Sequence, residues 1–205
     1  MFIRFAFLLS IMKLLKRLAF AIYPRPRQTA SFGEASLVQM PRRVQGARHI
    51  EVGDDVIIQA HSWLAAFERY GDQAFQPRIR IGSHTRIGRH AVITAIDSVA
   101  LGDGCLLSEQ VFISDHTHEY VASTVPPHRQ PLASRGPVSI GKHCFIGMRA
   151  CVLSSVTLGD YCVVGANSVV THSFPAGSII AGAPARLIRQ QAIPVEQPSS
   201  SHDIR

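Results

Sequence analysis

A repeat of six residues constrains the fold of this chain more than any other feature of its sequence. From Ile140 onward the chain divides into the sextets IGKHCF, IGMRAC, VLSSVT, LGDYCV, VGANSV and VTHSFP. The first position is always Ile, Val or Leu, and the second is Gly in four of the six. Further sextets begin earlier in the chain, at Val52, Ile58, Ile81, Ile87, Leu101, Leu107 and Ile113.

A period of six residues fits neither an amphipathic helix nor a long alternating strand. It predicts a solenoid in which each sextet forms one short strand and a turn, and three sextets complete one triangular coil. Aliphatic side chains at the first position then stack inside the coil, and glycine lies where the backbone turns. We therefore predict an all-β chain with a parallel β-helix over residues 50–189.

The four cysteines fit the same repeat. Cys105, Cys144 and Cys162 occupy the fifth position of their sextets, where other sextets carry small residues. This position predicts core packing for the three thiols. Cys151 stands at the sixth position and is less constrained, and no CxxC pair or secretory signal indicates a disulfide framework.

Two interruptions break the six-residue phase. Eight residues separate Ile93 from Leu101, which predicts a widened corner containing Asp97. The 27 residues from Ile113 to Ile140 predict a loop excursion over residues 115–139. Insertions in a solenoid map to one face, where binding is usually built.

The net charge of +7 belongs to the N-terminal part of the chain. Residues 1–48 carry nine basic side chains and one acidic side chain, so the rest is close to neutral. A neutral body disfavours a nucleic-acid partner. Residues 28–49 are predicted to be a connecting segment, and residues 190–205, rich in Pro and Ser, a disordered tail.

Residues 1–27 combine an apolar run with basic side chains. No small-residue cleavage site follows the run, which disfavours a signal peptide. Lys13, Lys16 and Arg17 interrupt the stretch that a membrane-spanning helix needs. We expect an amphipathic helix that lies on the inner face of a membrane, as a peripheral contact of a cytoplasmic protein, or packs on protein.

Three stretches of the sequence are similar to those of a known family. They are the sextets, the SDHTH that opens the excursion, and VVGANSVVTHSFPAGSIIAGAPARLIR, which closes the coil and includes AGAPAR. The chain resembles the hexapeptide-repeat acyltransferases over roughly residues 50–190, in particular the maltose, galactoside and colanic-acid type O-acetyltransferases. The resemblance implies a left-handed parallel β-helix, a homotrimer, acetyl-CoA as the acyl donor and a sugar or glycan as the acceptor.

The same resemblance implies roles for individual residues. His116 matches the family's catalytic histidine. In place of a Lys that relatives commonly have, this chain carries His172, and a neutral imidazole lacks the standing charge of an ammonium for the coenzyme phosphates. The positions expected to line the coenzyme are Met148, Ala166, Thr171, His172, Arg186 and Arg189.

A histidine suits the chemistry of acyl transfer to an alcohol. The hydroxyl is a poor nucleophile at neutral pH, and a general base that removes its proton contributes ~10²–10⁴-fold in rate. The imidazole needs an orienting partner, for which Asp115, Asp97, Glu119 and a backbone carbonyl are all candidates. We expect Asp115 at the catalytic centre, and the candidates for acceptor contact are Asp97, His118 and Arg129.

Two other functions are open to a chain of this pattern. His118 with His61, His84 or His90 could bind zinc in a hydratase like the carbonic anhydrases that share this coil. A non-catalytic trimeric scaffold is the other. AGAPAR has no role in the hydratase, so we expect no metal. The favoured function is an O-acetyltransferase that acts on a cell-surface glycan or its lipid-linked precursor.

Overall fold

The computed structural model describes residues 28–122 and 124–194, and these residues form short strands joined by tight turns. The predicted helix over residues 1–27 and most of the predicted tail lie outside the described residues. Six successive coils contain three strands each. In chain order their strands are β1 (Ser31–Phe32), β2 (Leu37–Val38), β3 (Arg43–Gln45), β4 (Ile50–Val52), β5 (Ile57–Ile58), β6 (Trp63–Ala66), then after a hairpin of β7 (Arg69–Tyr70) and β8 (Gln73–Ala74), β9 (Arg78–Ile81), β10 (Arg86–Ile87), β11 (Val92–Ala95), β12 (Ser98–Leu101), β13 (Leu106–Leu107) and β14 (Phe112–Ser114).

The chain then leaves the coil through one long excursion and returns. The excursion holds β15 (His116–His118), a 3₁₀ turn over Pro127–Arg129, and β16 (Leu132–Ser134). A second 3₁₀ turn lies at Ala47–His49. The last elements are β17 (Val138–Ile140), β18 (Phe145–Ile146), β19 (Cys151–Val152), β20 (Thr157–Leu158), β21 (Val163–Val164), β22 (Val169–Val170), β23 (Ser178–Gly182) and β24 (Ala185–Gln190).

Three parallel sheets form the sides of the coil. Sheet 1 has the order β1-β4-β9-β12-β17-β20, sheet 2 the order β2-β5-β10-β13-β18-β21-β23-β24, and sheet 3 the order β22-β19-β14-β11-β6-β3. Within the three sheets every pair is parallel except β23 with β24. The predicted all-β parallel coil is therefore confirmed.

The first position of each sextet points into the core. Ile140, Ile146 and Val152 are each at most 2% exposed, and the register stacks each above the matching residue of the neighbouring coils. Full burial of one aliphatic side chain contributes about 1.5–3 kcal/mol. The stacked columns therefore stabilise the coil along its whole length, and Cys105, Cys144 and Cys162 form part of the same core as predicted.

Glycine at the second position allows neighbouring coils to approach closely, and it is not required there by a left-handed backbone conformation. A Cβ on Gly102 would lie 2.7 Å from the carbonyl carbon of Gly141 in the next coil, closer than real Cβ contacts allow. The left-handed backbone conformation falls instead on the fourth position, where His84 and His143 have φ of 59° and 56°. These histidines are exposed corner residues.

The coil begins earlier than predicted. Residues 28–49 were expected to connect the helix to the coil, but β1, β2 and β3 pair in parallel with β4, β5 and β6 and form the first coil. Phe32, Val38 and Val44 keep the six-residue spacing and turn inward onto the core. At the other end the coil resumes at Val138, so the excursion ends two residues before the predicted 139.

In the described part of the chain, all interruptions of the coil fall on one of its three edges. We call the turns that lead from sheet 3 to sheet 1 the third corner. It holds the 3₁₀ turn after β3, residues 67–77 with their hairpin, the widened corner at residues 96–97, and residues 115–137. Among residues 28–122 and 124–194, no helix is both long and apolar enough to cross a membrane.

Candidate active site

His116 and Asp115 form a buried pair where the chain leaves the coil. Strand β14 ends at Ser114, and the next residue, Asp115, is fully buried. The Nδ1 atom of His116 lies 2.7 Å from Oδ1 of Asp115, and the His116 side chain is 8% exposed. A carboxylate can only accept here, so Nδ1 carries the proton and Nε2 keeps its lone pair.

The widened corner at residues 96–97 holds the Asp115 carboxylate. The backbone N–H of Ile96 donates to Oδ1 over 3.0 Å, and that of Asp97 donates to Oδ2 over 2.8 Å. Together with the imidazole, these two donors give the buried carboxylate three hydrogen bonds. A buried charge needs such partners, which explains why the preceding coil is widened at this level.

Hydroxyl groups fix the backbone of the histidine. The hydroxyl of Thr94 donates to Oγ of Ser114 over 3.0 Å, and Ser114 Oγ donates to the carbonyl oxygen of His116 over 2.8 Å. Phe67 begins the loop of residues 67–77, which we call the second excursion, and packs edge-on against the imidazole with 5.6 Å between ring centroids. The ring of His116 is therefore held from two sides.

A cavity of about 590 Å³ lies beside this pair. The first strand of the long excursion forms one wall, and sheet 3 forms the other. Its lining combines polar and apolar side chains: Phe112, His116, Thr117, His118, Glu119, Tyr120, Val121, Ala133, Arg135, Leu153, Ser154 and Thr171. Because Nδ1 of His116 is held by Asp115, Nε2 is the ring nitrogen left for a molecule in the cavity.

Two of the residues expected to contact the coenzyme or the acceptor also line this cavity. Thr171 directly follows β22, the last strand of the sixth coil. His118 packs against the ring of Tyr70 with 5.1 Å between centroids. Its Nδ1 atom is buried and has no hydrogen-bond partner among the described residues. A ligand group in the cavity could supply that partner.

The other predicted residues lie elsewhere. Asp97 contributes its backbone N–H, while its side chain is exposed, and Arg129 is exposed in the 3₁₀ turn of the excursion. Met148 and Ala166 are exposed and stack at the corner between sheets 2 and 3. The remaining three, also exposed, are His172, Arg186 and Arg189.

The histidines considered for zinc are separated along the coil. His61 and His90 stack at the corner between sheets 2 and 3, with 5.1 Å between ring centroids. His84 lies at the corner between sheets 1 and 2, where it contacts Asp55. In the part of the chain that the structure describes, no group of three or more His, Cys, Asp or Glu side chains could hold a metal ion.

Sequence reasoning missed the second excursion and its aromatic residues. Phe67 and Tyr70 contact His116 and His118, yet neither belongs to a recognisable motif. One signal was available: the interior positions Leu64 and Ile81 are 17 residues apart, which is not a multiple of six. Arg135, in the cavity wall, left no such signal.

Known proteins carry the same repeat. The family described as hexapeptide repeat of succinyl-transferase matches residues 78–113 and 137–172. A protein of Mycobacterium tuberculosis, named as an acetyltransferase, is 30% identical over 146 residues, which cover 71% of this chain and 44% of that protein. WbbJ of Escherichia coli K12, named as a lipopolysaccharide biosynthesis O-acetyl transferase, is 30% identical over 161 residues, which cover 75% of this chain and 78% of WbbJ.

A solved structure has the same fold. AntD, an N-acyltransferase from Bacillus cereus in complex with dTDP and 3-hydroxybutyryl-CoA, superposes with a TM-score of 0.65. The sequences are 18% identical, and the superposition covers 88% of each chain. The family repeat matches on both sides of the long excursion, and most of WbbJ is covered at 30% identity. This chain therefore belongs to the hexapeptide-repeat acyltransferase family.

Proposed function

We propose that this protein is an O-acetyltransferase that moves the acetyl group of acetyl-CoA to a sugar hydroxyl, with His116 as the general base. The observation that carries the proposal is the buried His116–Asp115 pair at the edge of the cavity. Asp115 fixes the tautomer, so Nε2 is free to take the proton of an acceptor hydroxyl. Membership of an acyltransferase family supports this reaction.

The reaction needs no covalent intermediate on the enzyme. As Nε2 of His116 removes the hydroxyl proton, the acceptor oxygen attacks the thioester carbonyl, and Asp115 stabilises the imidazolium that forms. A backbone N–H of the coil is the expected donor to the developing oxyanion. When the thiolate leaves, it takes the proton from Nε2, which restores the base.

The lining of the cavity supports a sugar acceptor. Glu119, His118 and Arg135 offer polar groups to hydroxyls, while Phe112 and Leu153 offer apolar surface to the faces of a sugar ring. WbbJ is named for lipopolysaccharide O-acetylation, and AntD binds a deoxythymidine nucleotide. We infer a cell-surface glycan or its lipid-linked precursor as acceptor, with Asp97 and Arg129 as outer contacts.

We infer that the protein is a homotrimer of left-handed coils. Sheet 1 presents a mostly polar outward row: Glu51, Arg80, Ala100, Ser139 and Thr157. Sheet 2 presents a largely apolar one: Ile57, Arg86, Leu106, Phe145, Val163 and Ile179. Sheet 3 presents Trp63, Val92, Phe112, Cys151 and Val169. Two different apolar faces on one subunit are what a closed ring of identical subunits requires.

Such a ring would place the coenzyme in the groove between subunits. Met148 and Ala166 stack at the edge between the two apolar faces, and Thr171 lies in the cavity. Arg186 and Arg189, both exposed on β24, are the proposed partners of the coenzyme phosphates, with His172 nearby in sequence.

We further infer a cytoplasmic enzyme that contacts the inner face of the membrane through residues 1–27. The apolar run with Lys13, Lys16 and Arg17 supports this inference, because basic amphipathic segments bind anionic lipid. Deletion of residues 1–27 should release the protein from anionic vesicles while acetyl transfer to a free sugar continues. Vesicle binding by the deleted protein would contradict the inference.

Thiol release from acetyl-CoA tests the function directly. Wild type should release thiol in the presence of a suitable sugar or lipid-linked glycan, and His116→Ala should lower kcat by about 10²–10⁴-fold. His128→Ala is the matched control, because this histidine is exposed on the same excursion and lies outside the cavity lining. Equal activity of wild type and His116→Ala would refute the assignment of the base.

A further inference from the structure

The second excursion, residues 67–77, braces the long excursion from outside the coil. Its short hairpin begins three residues after the end of β6 and, among residues 28–122 and 124–194, has no counterpart on the other two corners. Phe67 contacts His116, and Tyr70 contacts His118. The hydroxyl of Tyr70 also donates to the backbone carbonyl of His128, near the far end of the long excursion.

Gln73, at the start of β8, makes the most specific of these contacts. Its Nε2 donates to the carbonyl oxygen of Leu132 over 3.0 Å, and its Oε1 accepts the N–H of Leu132 over 2.7 Å. One side-chain amide thus satisfies both backbone groups of one residue, as a neighbouring strand would. Leu132 itself is 7% exposed, so water would not replace both bonds freely.

Leu132 belongs to the ladder that carries the candidate catalytic residues. Strand β16 pairs antiparallel with β15, and the register places Leu132 opposite His118 and Ser134 opposite His116. Because Leu132 turns its N–H and C=O to Gln73, these groups face away from β15. A ladder of two strands is marginally stable alone, so the outer edge of β16 needs a partner.

We propose that Gln73 is a positioning residue for acetyl transfer: by pairing with Leu132 it holds the β15–β16 ladder, and thereby His116 and His118, in the geometry that the acceptor requires. This inference rests on the proposed function for its kinetic consequence, but the clamp itself can be tested without any activity. The acyl donor is expected along the coil edges, so replacement of Gln73 should lower kcat/KM for the acceptor and leave the KM for acetyl-CoA unchanged.

Hydrogen–deuterium exchange tests the clamp in the full-length protein. In Gln73→Ala, amide exchange in the peptide that contains Leu132 should be about fivefold faster than in wild type, since a neutral hydrogen bond is lost. Gln76→Ala is the matched control, because Gln76 is an exposed glutamine of the same excursion. Unchanged exchange at Leu132 in Gln73→Ala would overturn the clamp.

Steady-state kinetics tests the positioning role. Gln73→Ala should lower kcat/KM for the acceptor by about 10-fold, less than the ~10²-fold that a 1 Å misplacement costs. The KM for acetyl-CoA should stay within about twofold of the wild-type value, and Gln76→Ala should match wild type. Faster exchange with unchanged acceptor kinetics would overturn the positioning role, as would a KM for acetyl-CoA that rises as much as the KM for the acceptor.

Gln73→Glu provides a signature that general destabilisation does not imitate. A neutral carboxyl group can donate to the carbonyl of Leu132 and accept its N–H, whereas the ionised form cannot donate. The ratio of variant to wild-type kcat/KM should therefore rise as the pH falls from about 7 towards about 4.5, because a glutamate has an ordinary pKa of about 4.3 and takes up its proton only in the lower part of this range. The nearby titratable groups, Tyr70, His118 and His128, are present in both proteins, so the ratio removes the pH dependence that the two proteins share.

These readouts separate failure of this inference from failure of the proposed function. If wild type transfers no acetyl group, the proposed function fails, while the exchange experiment still reports whether Gln73 holds Leu132. If wild type is active and the ratio for Gln73→Glu does not vary with pH, the positioning role is refuted.

Discussion

Replacement of Asp115 by asparagine is the sharpest test of the candidate site. The two side chains have the same shape, but asparagine offers one oxygen where aspartate offers two. Oδ1 of Asp115 accepts from both Ile96 and His116, and Oδ2 accepts from Asp97. If the asparagine oxygen keeps the Oδ1 place, its NH₂ group meets the N–H of Asp97 and leaves two donors facing each other.

The reverse orientation damages the histidine instead. The NH₂ group would then face Nδ1 of His116 and donate to it, which places the ring proton on Nε2 and removes the base. In this orientation the N–H of Ile96 also loses its acceptor. A buried donor without a partner costs about 1–3 kcal/mol, so Asp115→Asn should lower the free energy of unfolding by that amount in either orientation.

The catalytic effect should exceed the effect on stability. With the wrong tautomer or a misdirected ring, we expect kcat to fall by about 10²–10⁴-fold, equivalent to roughly 3–5 kcal/mol of transition-state stabilisation. Thiol release at saturating acceptor measures kcat, and histidine nitrogen NMR reports the tautomer. Asp160→Asn is the matched control, because Asp160 also accepts a backbone N–H but lies at another corner.

A small loss of kcat in Asp115→Asn would contradict the orienting role of Asp115. If Asp115→Asn keeps kcat within about threefold of wild type, the carboxylate does not orient the base. If kcat falls but the NMR spectrum shows the wild-type tautomer with the ring in place, the electrostatic effect of the carboxylate on the imidazolium is the cause, and the tautomer argument fails.

Three further predictions concern assembly, acid stability and thiol reactivity. Phe145→Glu places a charge in the apolar row of sheet 2, so sedimentation should show monomers in place of trimers; a trimeric variant would refute the proposed face. Hydrogen bonding from His49, with the charge of Arg48, lowers the pKa of Glu68 below its ordinary 4.5, so its stabilising contribution is present above that pH and is lost as the pH falls through the lowered value. Glu68→Gln should therefore lower Tm at pH 7, the deficit should shrink as the pH falls below 4.5, and a deficit that does not change with pH would contradict the ion pairing. Burial raises the pKa of Cys151, and the other three thiols lie in the core, so at pH 7.5 Ellman's reagent should react with the native protein far more slowly than with the unfolded chain; one rapidly reacting thiol would refute this.

The repeating core could be predicted because each first-position side chain repeats the same interior contact. Ile140, Ile146 and Val152 are buried for one reason, and the six-residue spacing expresses it directly. The first coil escaped prediction because its inward residues, Phe32 and Val38, are surrounded by atypical ones. Only one of its three sextets, the one that begins at Phe32, has glycine at the second position.

The candidate site was less accessible to sequence reasoning. The resemblance pointed to His116, but four partners remained open because the choice depends on which groups the coil brings to that level. The backbone N–H of Asp97 holds the Asp115 carboxylate, and because any residue except proline could serve that role, the sequence carries no signal for it. Gln73 lies 59 residues from its partner Leu132, and no motif connects them.

Because the interruptions of the coil among the described residues all lie at the third corner, the coils set the spacing between the groups of the candidate site. Neighbouring strands in a sheet lie about 4.8 Å apart, so successive coils hold the groups at one corner at a fixed spacing of this size. Three consecutive coils supply the groups of the site: Phe67, the amides at residues 96–97 and the Asp115–His116 pair. The parts of the third-corner loops that lie beyond these residues can thus be exchanged for others without disturbing the spacing between these groups, whereas removal of a single coil would shift one of the groups by about 4.8 Å. A designer who wishes to change the acceptor should graft loops onto this corner and leave the number of coils unchanged.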